Sequence, residues 1–88
     1  MSTAHYEVRI SAKAQKEINR LPKKFRAKVE AAIAALADEP RPHGAIKLTA
    51  EESYRIRVGN YRIIYLIDDG RLLVMVVEVG DRKNIYRG

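Results

Sequence analysis

The chain contains no cysteine. That excludes a disulfide framework and a thiolate zinc site. An 88-residue chain without such staples must rely on packing, or on a partner that covers part of it. A long hydrophobic run is also missing: the longest, Leu72 to Val77, is far too short to span a bilayer. The opening residues Met1 to His5 lack the basic-then-apolar pattern of a secretory signal, so the expected location is cytoplasmic. There is no internal repeat, linker, low-complexity stretch, phosphate-cradling glycine loop or metal-ligating cluster. These absences point to a single domain over residues 1–88, with no metal, cofactor, membrane or small-molecule ligand.

What is present is an apolar content of 47%, enough for one modest core, and an excess of positive charge. Lys and Arg total 17 against 11 Asp and Glu, a net charge of +6. Such a balance favours an anionic partner, either nucleic acid or an acidic protein, although charge alone is equally compatible with a solvated surface. The position of the charges has to decide.

His5 to Ile10 alternates, with Tyr6, Val8 and Ile10 on one face and Glu7 and Arg9 on the other, the pattern of a half-buried strand. Ser11 is a suitable N-cap for a helix over 12–21 carrying Ala14, Ile18 and Leu21 at helical spacing. Pro22 ends that helix and can serve as the first residue of the next. In the second helix Phe25, Val29, Ile33 and Leu36 form an apolar stripe, and Lys24 and Lys28 lie opposite. Residues 38–44, with Pro40, Pro42 and Gly44, read as a loop. The rest is β: a short strand over 45–48 and three clear strands over 53–58, 61–67 and 71–79. Gly59-Asn60 makes a two-residue hairpin turn in which both residues tolerate positive φ. Asp69-Gly70 centres the second turn. The expected class is α+β, with a two-helix hairpin packed on one face of a mostly antiparallel sheet of four to five strands.

Period-two geometry then sorts the side chains. Tyr54, Ile56, Val58, Tyr61, Ile63, Tyr65 and Ile67 belong to the face that the helices cover. Arg55, Arg57 and Arg62 belong to the other. With Gly59-Asn60 as the turn, Arg57 pairs with Arg62, and like charges so placed are destabilising. At roughly 5 Å and an effective dielectric of about 20, the bare repulsion is about 3 kcal/mol, less where the side chains splay into water. A bland solvated face would mix signs, and this strand pair holds no acid, so the pattern favours an anion site. The chain closes with Arg82, Lys83, Tyr86 and Arg87, cations around an aromatic ring, which suits single-stranded RNA as well as it suits a ring packed over the sheet edge.

At these residues the sequence resembles the RelE branch of the RelE/ParE toxin superfamily over nearly its whole length. The resemblance is carried by four segments: Tyr6 to Ile10 with Ala14, Lys16 and Leu21-Pro22; Pro40 to Gly44 followed by Lys47-Leu48; Tyr54 to Tyr65; and Val79 to Lys83 with Tyr86. It implies the RelE-like fold and a toxin of a type II toxin–antitoxin system. The toxin would be a metal-independent endoribonuclease that cuts messenger RNA in the ribosomal A site and stops translation. Attack of the 2′-oxygen would leave a 2′,3′-cyclic phosphate and a 5′-hydroxyl. By the same resemblance the catalytic set is Arg57, Arg62, Arg82 and Tyr86, with Arg55 binding substrate; Lys83 and Arg87, the cations beside Tyr86, are expected to bind substrate too. Arg62 would bind phosphate, Arg82 would serve as acid or leaving-group stabiliser, and Tyr86 would orient the nucleotide or take the 2′ proton.

Two departures matter. Arg55 and Arg57 stand where well-studied members carry Lys, and a guanidinium is a poor base. The spacer from Arg82 to Tyr86 is shorter than in some members. The expected partners are a RelB-like antitoxin, the ribosome and messenger RNA. The competing expectation is a ParE-like toxin that inhibits DNA gyrase by binding and cuts nothing. His5 and His43 lie in no motif and nothing in the sequence brings them together; Asp68-Asp69 reads as a turn and Glu51-Glu52 as a surface loop.

Overall fold

The computed structural model describes residues 5–49 and 52–81. Strand β1 (Glu7–Ile10) is followed by helices α1 (Ala12–Asn19) and α2 (Lys23–Ala35). Four strands complete the chain: β2 (Ile46–Lys47), β3 (Ser53–Val58), β4 (Tyr61–Asp68) and β5 (Leu73–Asp81). The strands form one sheet in the order β1-β5-β4-β3-β2. Neighbours are antiparallel except β1 and β5, which run parallel, so the sheet is mixed. The α+β class, the two helices on one face and the five strands agree with the sequence reading.

Local chemistry explains most boundaries. The Ser11 hydroxyl accepts from Ala14 N at 3.0 Å and caps α1 as expected. Helix α1 stops at Asn19, two residues short of the predicted end. Arg20 N and Leu21 N instead donate to the carbonyls three residues back, a tightened last turn. Pro22 does not become the first helical residue. Its ψ of 142° is extended, and its carbonyl accepts the first bonds of α2 from Phe25 N and Arg26 N.

Both helices bury the faces read from their spacing. Ala14 and Ile18 of α1, and Val29, Ile33 and Leu36 along α2, pack with Tyr54, Ile63, Tyr65, Ile67, Val74, Val76 and Val79 of the sheet. Phe25, at the start of α2, reaches Tyr61 with ring centroids 5.4 Å apart. The surface opposite Tyr54, Ile63 and Tyr65 is therefore left uncovered by helices.

Two details depart from expectation, and a third goes beyond it. The β3–β4 turn carries positive φ at Gly59 alone (62°), the requirement of a type II′ rather than a type I′ turn, so Asn60 needs no left-handed backbone. The β4–β5 connection is a four-residue loop over 69–72, because Asp68 already pairs with Leu73. The Asp68 carboxylate accepts from Arg71 N at 3.1 Å, and the positive φ (53°) falls on Leu72 rather than on Asp69 or Gly70. Third, the β4–β5 register slips between Ile64 and Tyr65, a bulge that puts Glu78 opposite Ile64 and Val76 opposite Tyr65.

Beyond the end of β1, no strand among the described residues pairs with β5 on that side. Helix α1 takes over its edge: Val79 N donates to Glu17 Oε1 at 2.8 Å, and the Ser11 hydroxyl donates to Val77 O at 3.4 Å.

Candidate functional site

The turn at Gly59-Asn60 sets the register of β3 against β4, with Val58 opposite Tyr61 and Arg57 opposite Arg62. Strand alternation places Arg55 two residues from Arg57 on the same side. Arg57 is exposed; Arg55 and Arg62 are half-buried. On its other side Arg62 faces Gly80 of β5, a position with no side chain to crowd the guanidinium. Arg55 has Ile64 on one flank and Ile46 of β2 on the other. The arginine row thus lies on the sheet surface away from the helices. Arg82, Lys83, Tyr86 and Arg87 lie outside the described residues.

Glu7 pairs with Arg9, Glu17 and Glu78 with Lys13, Asp68 with Arg71, and Arg57 takes part in none of them. Two arginines in cross-strand register can share an anion that offers several oxygens, such as a phosphodiester. Among the described residues no group of three or more His, Asp or Glu is placed to hold a metal ion, and no helix is long and apolar enough to cross a membrane.

The loop between α2 and β2 borders this surface. His43 and Gly44 from the loop, Ile46 from β2, and Arg55, Ile56 and Arg57 from β3 enclose a groove of about 360 Å³. Sequence reasoning set His43 aside. The structure separates it from His5, whose Nδ1 lies 3.1 Å from Asp38 Oδ1, and brings it to the arginines instead. The missing signal was the pairing of Ile46 with Arg55, which carries the loop to β3 and which a two-residue strand announces only weakly.

A second cluster, also missed, anchors the same loop. Arg41 donates from Nη2 to Asp69 Oδ2 at 2.9 Å and from Nη1 to Asp69 Oδ1 at 3.3 Å. It also reaches Tyr54 Oη at 3.0 Å and Glu52 Oε1 at 3.3 Å, with its guanidinium 5.2 Å from the Tyr54 ring centre. Tyr6 Oη donates to Asp69 at 2.6 Å. Arg41 and Tyr6 together hold the Asp69 carboxyl below the usual carboxylate range. Lys47, helped by Tyr54 and Arg41, does the same for Glu52. Beneath them the Tyr65 hydroxyl donates to Pro40 O at 2.8 Å, and burial pushes that phenol up to about 12. Asp69 and Glu52, read from sequence as turn and surface-loop residues, are thus the acceptors that fix Arg41.

Comparison with known proteins agrees with this architecture. The family model described as ParE toxin of type II toxin–antitoxin system, parDE, matches residues 8–86. Toxin RelE of Mycobacterium tuberculosis is 36% identical over 90 residues, covering 99% of this chain and 93% of the relative.

The chain belongs to the RelE/ParE superfamily of type II toxins.

Toxin RelG of the same organism is 33% identical over 84 residues, covering 93% of this chain and 97% of that one. Among solved structures, the M. tuberculosis toxin–antitoxin complex RelBE2 aligns with a TM-score of 0.77 at 31% identity, covering 92% of this chain and 95% of that one. The archaeal RelE–RelB complex from Pyrococcus horikoshii aligns with a TM-score of 0.78 at 24% identity, covering 96% and 99%. Within the superfamily this toxin is RelE-like.

Proposed function

We propose that this toxin is a metal-independent endoribonuclease that cuts messenger RNA in the ribosomal A site and so halts translation. The observation that carries the reading is the Arg57–Arg62 pair, set face to face on the uncovered sheet surface with Arg55 beside it. Two like charges in register cost stability unless an anion joins them. A phosphodiester gains negative charge at its oxygens as the 2′-oxygen attacks, so preplaced guanidiniums stabilise the phosphorane more than the ground state.

In this mechanism Arg57 and Arg62 hold the scissile phosphate. Arg82 stabilises the departing 5′-oxygen, and Tyr86 orients the nucleotide or takes the 2′ proton. Arg55, Lys83 and Arg87 bind flanking phosphates. None of the arginines is a useful base, so charge stabilisation and alignment carry the rate, with the ribosome supplying much of the alignment. The products are a 2′,3′-cyclic phosphate and a 5′-hydroxyl. The regulating partner is a RelB-like antitoxin that wraps the domain and brings acids to the arginine face. Structural relatives crystallised as RelB–RelE complexes support that partner.

The matched family model bears the ParE name, so gyrase inhibition is the second reading. Single-turnover cleavage on programmed ribosomes separates them. Arg62→Ala and Arg82→Ala are each expected to lower the rate by about 100-fold. Losses under roughly tenfold for both reject the site. Intact message accompanied by gyrase-linked DNA breaks selects the second reading.

A further inference from the structure

The groove beside the arginine row has features that phosphate binding alone does not require. Arg55, Ile56 and Arg57 of β3 line it together with His43, Gly44 and Ile46. Ile46 keeps 47% of its surface exposed although it sits in a strand next to a guanidinium. Register puts its side chain on the same face as Arg55. His43 is exposed too. Gly44 turns the chain between them with φ of 94°, and a Cβ there would touch nothing, so the glycine serves the backbone bend rather than making room. An imidazole, an uncovered branched aliphatic side chain and a guanidinium around one small hollow offer flat and apolar contact on one side and positive charge on the other. That combination suits a nucleotide, whose base stacks and whose phosphate is anionic. At about 360 Å³ the hollow lies near the lower end of small-ligand sites and fits one nucleotide rather than a longer segment.

We propose that this groove is the subsite for the nucleotide next to the scissile bond, with His43 and Ile46 receiving its base and Arg55 its phosphate. The spacing suits the task. Arg55 stands two residues along β3 from Arg57, about 7 Å, the reach of one nucleotide step. The subsite rests on the nuclease reading above and extends it: the base admitted between His43 and Ile46 sets the sequence preference of cleavage. The loop that carries His43 is held by Arg41, so the preference is built on a fixed wall.

The test is a map of messenger RNA 5′ ends after induction of wild type, His43→Ala, Ile46→Ser and Arg57→Ala, with thermal unfolding of each purified protein as a folding control. His43→Ala and Ile46→Ser are expected to lower the preference at one position adjacent to the cut by about tenfold. Arg57→Ala is expected to lose cleavage at every site. A short RNA with a 2′-deoxy block at the cut and 2-aminopurine at the adjacent position gives a readout without cleavage. Its fluorescence should be quenched by wild type and not by His43→Ala. Unchanged site preference in both groove variants overturns the subsite, as does a uniform fall at all sites, which would place His43 in the chemistry instead. Wild-type protein that cuts no RNA overturns the nuclease reading and the subsite with it. Cutting by wild type with unchanged preference in the variants overturns the subsite alone.

Discussion

Arg41 and Asp69 meet through two parallel hydrogen bonds, at 2.9 and 3.3 Å, across 28 residues of sequence. This fork ties the proline-bound loop before β2 to the loop after β4, and Tyr54 and Glu52 complete its grip. Arg41→Ala should therefore destabilise the fold by about 1–2 kcal/mol, a modest figure because the side chain is partly exposed. Arg41→Lys should recover only part of this, since an ammonium cannot reproduce the fork. Urea unfolding followed by circular dichroism measures both.

The same cluster predicts the acid limb of stability. Asp69 and Glu52 are held below the ordinary carboxylate range, Asp69 chiefly by Arg41 and Glu52 chiefly by Lys47. A depressed carboxyl stabilises the fold above its unfolded value of about 4, and that contribution is lost as pH falls through the lower folded value. Denaturation midpoints should fall as pH drops below about 4, and the fall should be shallower in Asp69→Asn.

Tyr65 governs the alkaline side. Its phenol is pushed up to about 12 by burial, so the folded state resists ionisation that the unfolded chain undergoes near 10. Stability is complete below about 10 and should drain away as pH rises through about 12. Tyr65→Phe should weaken that dependence. It should also cost about 1–2 kcal/mol at neutral pH, because Pro40 O loses its donor. Chemical denaturation at neutral and alkaline pH reports both effects.

Glu17 takes the Val79 amide at the edge of β5. Removing the acceptor leaves a part-buried N–H without this bond, so Glu17→Ala should cost about 1–3 kcal/mol and speed hydrogen exchange at Val79. Glu17→Gln keeps an acceptor oxygen and should restore most of the protection. Native-state exchange resolved by NMR is the direct measurement.

Stability and activity should move in opposite directions at Arg57. Replacing it with Ser removes one of two facing like charges and should stabilise the isolated toxin by a few tenths to about 1 kcal/mol. The same change should abolish RNA cleavage. Thermal unfolding at low and high salt checks the electrostatic origin, since screening should shrink the gain.

Much of this molecule follows from the chain read alone. Ser11 and Pro22 bracket α1 by capping and by ring geometry, and the stripe from Phe25 to Leu36 selects the buried side of α2. Gly59 fixes the hairpin register, after which period two assigns Tyr54, Ile63 and Tyr65 to the core and Arg55, Arg57 and Arg62 to the opposite surface. These are local decisions, settled within a few residues by backbone geometry and by water's exclusion of apolar side chains. The parallel pairing of β1 with β5, the slip at Ile64, the four-residue loop ending at Leu72, the Arg41 cluster and the groove that His43 shares with Arg55 are different in kind. Apart from that loop, each joins residues more than ten positions apart, and such arrangements form only where three-dimensional packing leaves a polar group in need of a partner or a backbone edge in need of cover. Periodicity carries no information about which distant segment will supply it.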